Sequence, residues 1–202
     1  PAPREQTRVV DGGKAQAAAR MTGLPWDAAD DFLKAEGTGR FLHAKPLLGS
    51  GDFHIKARLK LARLDSSAAS FEIAGGRFGF DGRGGTFFME GGGFAEGGKP
   101  TVKPADFITP GKPFVFEVTR ERSTTRFLID NREVHRLEGW TEPAGRVGFR
   151  PWRNRMEIGS FSIEGDLTKS PPSPPALFSA GNDGYHTYRI PALAVTKKGT
   201  VL

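Results

Sequence analysis

The sequence predicts an all-β protein whose strands stack as a β-sandwich. Three features carry this prediction: 27 glycines and 15 prolines among 202 residues, 16 phenylalanines, and long segments in which apolar and polar residues alternate. Abundant turn residues between short alternating segments are typical of all-β folds. Because each strand then has one apolar face, the strands must stack in two layers or close into a barrel, and a sandwich is the simpler arrangement.

The clearest predicted strand covers residues 52–63. Its apolar side chains share one face and comprise Phe53, Ile55, Ala57, Leu59 and Leu61. Its polar side chains share the other face and comprise His54, Lys56, Arg58 and Lys60. This period of two indicates a long strand with one buried and one solvent-exposed face. The basic face has two interpretations, an ordinary solvated surface or a surface for an anionic glycan.

Further strands are predicted at short spacing. They cover residues 70–75, 77–82 and 86–91, two or three segments within 113–137, and a final group within 145–165. Asp130 and Asn131 tolerate left-handed backbone, so they predict a tight hairpin. The apolar parity changes between Ile158 and Phe161, and Gly159 is therefore predicted to mark a β-bulge.

The N-terminal segment, residues 1–40, is the least periodic part of the chain. Residues 13–21 are rich in alanine and favour a short helical turn. Residues 28–37 are compatible with either a short helix or a loop. We therefore predict a partly irregular segment that packs on a sandwich formed by residues 41–165.

Composition argues against several classes of protein and site. The chain has no cysteine, which excludes disulfides and cysteine-based zinc sites. Asp52 and Asp81 lie near glycines, but the spacing of a calcium loop is absent, so we predict no metal. No apolar run is long enough for a transmembrane helix. The net charge is +6, yet bases and acids are interleaved without a nucleic-acid-binding motif, and we expect no nucleic-acid partner.

The composition changes over residues 166–176. Four prolines fall close together there, Pro171, Pro172, Pro174 and Pro175. Such a run favours extended polyproline II backbone and predicts a semi-rigid spacer between domains. Residues 177–202 follow this spacer and are too few to form a domain.

The stretch "LFSAGNDGYHTYRIPALAVTKKGTVL", residues 177–202, resembles the start of the catalytic domain of bacterial-type sialidases. Those enzymes are six-bladed propellers that open with a Y/F-R-I-P motif, matched here by residues 188–191. The resemblance implies that Arg189 holds the carboxylate of sialic acid together with two further arginines. A guanidinium suits that role because its planar fork pairs with both carboxylate oxygens. The alternative is an exposed arginine on the first strand of an incomplete propeller.

The resemblance also implies which groups lie elsewhere. Sialidases use a tyrosine nucleophile with a glutamate, and an aspartate acid/base, all from later parts of the propeller. Residues 177–202 supply at best one or two strands of a four-stranded blade. We therefore expect no catalytic residue within this chain, and assign no such role to Tyr185 or Tyr188. The parent enzyme is expected to hydrolyse terminal sialic acid without a cofactor.

Residues 40–165 resemble the concanavalin A-like or laminin G-like jelly-roll domains that precede such catalytic domains. The resemblance rests on "RFLIDNREVHRLEGW" and "GRVGFRPWRNRMEIGSFSIEG". Domains of this class often bind sugars through aromatic faces and polar groups. The candidate glycan-binding residues are Trp152, Arg150, Asn154 and Trp140. Alternatively, either tryptophan packs in the core or against a neighbouring domain.

Together these features predict an N-terminal accessory domain of an exo-sialidase, secreted or periplasmic. Its expected partners are sialylated glycans or other carbohydrates and the downstream propeller. The alternative is a purely structural domain that stabilises the propeller without binding a glycan.

Overall fold

The chain folds into two antiparallel β-sheets packed face to face. This computed structural model describes residues 6–92, 94, 99–140 and 144–168. The nine-stranded sheet comprises β1 (Gln6–Asp11), β2 (Lys14–Ala15), β4 (Asp27–Ala29), β5 (Phe32–Gly37), β7 (Leu47–Leu61), β11 (Phe114–Glu121), β12 (Thr124–Ile129), β13 (Arg132–Glu138) and β15 (Asn154–Thr168). The six-stranded sheet comprises β3 (Ala19–Gly23), β6 (Arg40–Ala44), β8 (Ser70–Ile73), β9 (Gly76–Gly82), β10 (Thr86–Gly91) and β14 (Val147–Arg150). A short 3-10 turn covers Pro104–Asp106. The all-β sandwich prediction is confirmed.

The nine-stranded sheet is built around its two longest strands, β7 and β15, which have 15 residues each. Its order is β13-β12-β11-β7-β15-β1-β2. On the side away from β7, β15 pairs first with β5 and then with β1. The six-stranded sheet has the order β10-β9-β8-β14-β6-β3.

The alternation at residues 52–63 correctly predicts the central strand. The five apolar residues of β7 named above are all buried in the core, at 1% exposure or less. The strand begins earlier than predicted, at Leu47, because Leu47 and Leu48 continue the pairing with β15. The remaining predicted strands from residue 70 onward also correspond to observed strands.

Two local features are also confirmed. Asp130 and Asn131 have φ of 47° and 62° and form the turn between β12 and β13. The register between β15 and β7 shifts between Ile158 and Ser160, so Gly159 lies at a bulge. The bulge explains why the apolar parity changes there, because one extra residue reverses which side chains point inward.

The prediction for residues 13–21 and 28–37 is wrong. These residues contain strands of both sheets, from β2 to β5, instead of a helical turn. Gly12 and Gly13 adopt positive φ, which lets the chain reverse from β1 into β2. Sheet pairing outweighs the weak helix preference of the alanines. The sandwich therefore starts at Gln6, and residues 6–40 are part of its two sheets.

Phenylalanines join the two sheets across the core. The ring centre of Phe78 in β9 lies 4.8 Å from that of Phe127 in β12 and 5.5 Å from that of Phe116 in β11. Phe149 in β14 lies 5.1 Å from Phe161 in β15. Each such aromatic pair contributes about 0.5–1.5 kcal/mol beyond its buried area. Because these contacts join the inner faces of the two sheets, only the outer faces are accessible to a ligand.

The predicted spacer at 166–176 begins inside β15, which runs to Thr168. All described residues belong to one unit, residues 1–170. The remaining residues of the spacer, the Y-R-I-P motif and Arg189 lie outside the described residues. Their predicted roles therefore stay predictions.

Candidate functional site

Two adjoining clefts lie on the outer face of the six-stranded sheet. Because Phe78 and Phe149 point into the core, their chain neighbours Arg77 and Arg150 point outward. The first, here the Trp152 cleft, has a volume of about 590 Å³, and its lining includes Arg77, Arg83, Phe88, Glu90, Arg150 and Trp152. The second, here the His43 cleft, measures about 380 Å³, and its lining includes Phe41, His43, Glu72, Arg77 and Arg146. Arg77 lines both clefts.

The ring of Phe88 rests on the surface of the sheet within the Trp152 cleft. Phe88 in β10 pairs with Gly79 in β9. A Cβ atom at Gly79 would lie 1.6 Å from Cε1 of Phe88, and one at Gly82 would lie 2.7 Å from Cδ1. Glycine at these positions therefore leaves the space that the aromatic ring occupies.

Trp152 lies in the tight turn that leads from β14 to β15. The N–H of Asn154 donates to the carbonyl of Pro151 at 3.2 Å, which closes the turn. Both central residues have positive φ, 39° for Trp152 and 66° for Arg153. For residues other than glycine this conformation costs on the order of 1 kcal/mol each. Backbone strain of this kind is concentrated at functional sites. Here the strained turn places the half-buried side chain of Trp152 in the lining of a cleft.

Arg150 is a largely buried cation beside that tryptophan. Its guanidinium carbon lies 4.6 Å from the ring centre of Trp152, and its Nε donates to Oγ of Ser70 at 2.8 Å. The carboxylate of Glu72 lies 3.8 Å from Nε. Burial lowers the pKa of Arg150 and repulsion from Arg77 lowers it further, although Glu72 and Glu90 act in the opposite direction. The positive charge of Arg150 is therefore only partly compensated within the protein.

Glu72 connects the two clefts electrostatically. It pairs with Gly148 in β14, which pairs on its other side with His43 in β6. Because Gly148 has no side chain, Nε2 of His43 reaches over it to Oε2 of Glu72 at 2.8 Å. Burial would raise the pKa of Glu72, but the His43 hydrogen bond and the charges of His43, Arg150 and Arg77 outweigh burial and lower the pKa. Glu72 is thus held as a carboxylate at neutral pH.

A loop between β7 and β8 forms one wall of the Trp152 cleft through Ala68. The buried carboxylate of Asp81 in β9 holds this loop. It accepts the N–H groups of Asp65, Ser66 and Ser67 at 3.0, 2.8 and 3.0 Å, and the hydroxyl of Ser67 at 2.7 Å. A concave run of N–H groups around a carboxylate is a typical anion nest. The carboxylate of Asp81 therefore has a structural role, which is to hold this loop.

Asn154 supports the same loop from inside the protein. The residue is fully buried, and its Nδ2 donates to the carbonyl of Arg63 and to Oγ of Ser67, both at 2.9 Å. A buried side chain that donates to two loop atoms fixes the position of that loop. Asn154 therefore positions the cleft wall and cannot reach a ligand in the cleft.

The structure brings together Trp152 and Arg150 of the predicted glycan-binding residues, but not Trp140. Trp140 is 8% exposed, and its ring centre lies 5.0 Å from that of Phe94 in the core. Its carbonyl accepts a hydrogen bond from Nη1 of Arg120 at 2.5 Å. The ring is not available for stacking on a sugar, and we leave Trp140 and Asn154 out of the ligand-contacting set.

The basic face of β7 carries ion pairs with its neighbouring strands. Nε2 of His54 lies 2.7 Å and Nζ of Lys56 lies 3.5 Å from the carboxylate of Glu117 in β11. Lys60 forms an ion pair with Glu157 in β15. Because acids on both sides compensate its charge, this face is best interpreted as an ordinary solvated surface.

A third depression, of about 430 Å³, lies on the other sheet at the β11–β12 turn. Its lining consists of Asp52, Glu121, Arg122, Thr124 and Arg126 and contains no aromatic residue. The backbone N–H of Arg122 donates to Asp52 at 2.6 Å, which fixes the turn. The clefts on the six-stranded sheet are better candidates because they combine aromatic and charged groups.

Sequence reasoning missed Phe88, Arg77, Arg83 and Glu72 as members of the site. One signal was present in "RFGF", residues 77–80, where Phe78 and Phe80 point inward, so that Arg77 and Gly79 must share the outer face. This local pattern does not show which strands are neighbours in the sheet. Only the pairing of β10 with β9 places Phe88 on Gly79.

The described part of the chain lacks two other kinds of feature. Within it, no three His, Asp or Glu side chains cluster as metal ligands. None of its helical segments has the length and apolar character that a membrane-spanning helix requires.

Comparison with solved structures defines the class of fold as the jelly-roll β-sandwich of lectins and glycoside hydrolases. Domain 4 of AbnA, an extracellular arabinanase from Geobacillus stearothermophilus solved with arabinotriose, matches at 12% identity and a TM-score of 0.55, over 83% of this chain and 96% of that chain. The exoplasmic/lumenal domain of VIP36, solved with Ca²⁺ and Man3GlcNAc, matches at 8% identity and a TM-score of 0.56, over 82% of this chain and 90% of that chain.

A sialidase structure also matches, at 11% identity and a TM-score of 0.57. The match covers 80% of this chain but 18% of the sialidase chain. At such identities these likenesses show the fold alone. No protein-family model matches the chain, and no curated protein sequence matches it either.

Proposed function

We propose that residues 6–168 form a carbohydrate-binding accessory domain whose binding site is the Trp152 cleft. The observation that carries this proposal is the pair of half-buried aromatic residues, Phe88 and Trp152, beside arginines in one open cleft. Aromatic faces stack on the C–H groups of sugars, and nearby polar groups bind their hydroxyls. The strained backbone at Trp152 supports the same assignment.

The solved structures of similar fold support a carbohydrate as the ligand. The AbnA domain was solved with arabinotriose and the VIP36 domain with Man3GlcNAc. One belongs to an extracellular enzyme and the other is a lumenal domain, in keeping with a secreted or periplasmic location for this protein. The fold alone does not select the sugar, because one fold hosts many functions.

We further propose that this domain belongs to an exo-sialidase that hydrolyses terminal sialic acid from glycoconjugates. The Y-R-I-P stretch at residues 188–191 supports this, with Arg189 as a ligand of the substrate carboxylate. The coding sequence is expected to continue past Leu202 with the Asp-box repeats and the other arginines of a propeller. A stop codon directly after Leu202 would contradict this part of the proposal.

Binding is tested with the full chain on a glycan array, followed by calorimetry with the strongest ligand. Trp152→Ala and Phe88→Ala are each expected to weaken binding. Phe107→Ala is the matched control, because Phe107 is also half-buried and lies under an arginine, with the Arg132 guanidinium 4.2 Å from its ring centre. The proposal fails if no glycan binds, or if the control weakens binding as much as the cleft variants.

A structural role for the domain is the second candidate function. Met21 and Leu24, at and just after β3, are 43% and 55% exposed and offer apolar surface to another domain. In that case, deleting the sandwich lowers the melting temperature of the intact enzyme but preserves turnover of a small soluble substrate. An unchanged melting temperature would count against this role.

A further inference from the structure

We propose that the Trp152 and His43 clefts together bind one acidic polysaccharide chain, held by Arg83 and Arg150 in the first cleft and Arg146 in the second. The inference rests on the proposed carbohydrate-binding function and deepens it by naming the ligand class. The shared chemistry is a sugar chain that carries carboxylate or sulfate groups.

The charge of the two clefts is the first argument. Their linings contain four arginines, Arg77, Arg83, Arg146 and Arg150, and two acids, Glu72 and Glu90. Four positive and two negative charges leave an excess of two positive charges. Both acids pair with Arg77, since Glu72 lies 3.4 Å from its Nε and Glu90 lies 2.7 Å from its Nη1. Glu72 also lies 3.8 Å from Nε of Arg150, so the two excess charges are those of Arg83 and Arg146.

Arg83 and Arg146 are available to an anion, and Arg150 lines the first cleft from a largely buried position. Among the described residues, neither Arg83 nor Arg146 forms an ion pair, and both are exposed. Arg150 uses Nε for Ser70 and lies 3.8 Å from Glu72, a long separation for an ion pair. An anionic ligand would balance its buried charge, and a guanidinium binds carboxylate or sulfate through paired N–H groups.

The spacing of the arginines indicates an extended ligand. Arg146 directly precedes β14 and Arg150 ends it, four residues later and on the same face, so their Cα atoms are separated by about 13 Å in extended backbone. Arg77 lines both clefts and lies along the path between them. Arg146 and Arg150 line different clefts, so a ligand that occupies both clefts must be extended. A chain with charges on separate sugars can occupy both while it stacks on the aromatic residues of the first cleft.

The experiment compares polysaccharides that share a backbone and differ in charge. The full chain is titrated with dextran and dextran sulfate, with methyl-esterified and de-esterified polygalacturonan, and with lactose and sialyllactose. We expect at least one charged polymer to bind about tenfold or more tightly than its neutral counterpart. The sulfate and carboxylate arms identify which anion the site prefers, and sialyllactose tests a single terminal acidic sugar.

The variants locate the binding. Arg83→Gln and Arg146→Gln remove exposed charges, and each is expected to weaken binding of the charged polymer about two- to fivefold. Arg150→Gln should weaken it more, with its folding checked by thermal unfolding. Arg136→Gln is the control for loss of one exposed arginine on the other sheet, although Arg136 in β13 pairs with Glu133 at 3.0 Å.

Each contrary outcome has a distinct meaning. Equal binding of neutral and charged polymers overturns the inference and leaves the proposed function standing. If no carbohydrate binds, both fail. Loss in Arg83→Gln without loss in Arg146→Gln overturns the claim that one chain spans both clefts. If duplex DNA binds as tightly as the charged polysaccharide, with the same losses, the clefts form only a general anion-binding surface and the inference is overturned.

Discussion

A Cβ atom on Gly79 would fall 1.6 Å from Cε1 of Phe88, so the glycine of one strand sets the position of the aromatic ring on the next. Gly79→Ala must therefore displace the ring from the sheet. We expect the affinity for the glycan to fall about two- to tenfold, as for loss of one aromatic contact. Calorimetry measures this. In the double variant Gly79→Ala/Phe88→Ala the loss should equal that of Phe88→Ala alone, and additive losses would show that Gly79 acts by another route.

The turn at Trp152 and Arg153 predicts that a substitution there can abolish glycan binding with little change in the free energy of unfolding. Both residues have positive φ, which glycine adopts without the Cβ strain. Arg153→Gly should be neutral to stabilising, by up to about 1 kcal/mol, with binding retained. Trp152→Gly should have a similarly small effect on stability, since relief of strain offsets the lost contact with Arg150, but it should abolish the stacking surface. Urea unfolding and calorimetry measure the two effects, and a Trp152→Gly variant that binds normally would contradict the assignment.

The carboxylate of Asp81 predicts a stability effect in the cleft wall. Asp81→Asn places an amide among N–H donors that now reach a carboxylate at 2.8–3.0 Å. We expect the free energy of unfolding to fall by about 2–3 kcal/mol. Asp130→Asn is the control, because its exposed carboxylate accepts one backbone N–H, from Val115 at 2.8 Å, and should cost less than about 1 kcal/mol. Equal effects in urea unfolding would contradict the nest interpretation.

The lowered pKa of Glu72 predicts that the free energy of unfolding depends on pH in the acidic range. Although burial opposes it, the His43 hydrogen bond and the nearby cations lower the pKa of Glu72 from its ordinary value of 4.5. A group with a lowered folded-state pKa stabilises the protein above that ordinary value, and this stabilisation is lost as the pH falls through the folded-state pKa. The difference in unfolding free energy between the wild type and Glu72→Gln should therefore shrink when the pH drops from about 7 to about 3. A constant difference across that range would contradict the ionised pairing.

The sequence predicts the strands of this fold better than the site. Alternation identifies β7, and the parity change at Gly159 identifies the bulge, because both depend on which neighbours along the chain point inward. The N-terminal strands are hidden, since short edge strands with alanine lack a strong period and form through pairing with distant residues.

The candidate site depends on strand order, which a local pattern does not contain. Trp152 and Arg150 are two residues apart, so their proximity could be predicted. Phe88 and Glu72 join them only because β10, β9, β8 and β14 are neighbours in one sheet. Trp140 and Asn154 have residue types suited to a sugar site, but their burial is set by packing across the sandwich.

Intrinsic fluorescence tests the central claim most directly, because the chain has three tryptophans and two of them are buried. Trp26 and Trp140 are 5% and 8% exposed, whereas Trp152 is more exposed and lines the cleft. Titration with a bound glycan should therefore change the fluorescence of the wild type. In Trp152→Phe the fluorescence change should disappear while calorimetry still detects binding. A full fluorescence change in Trp152→Phe would place the ligand elsewhere and contradict the account.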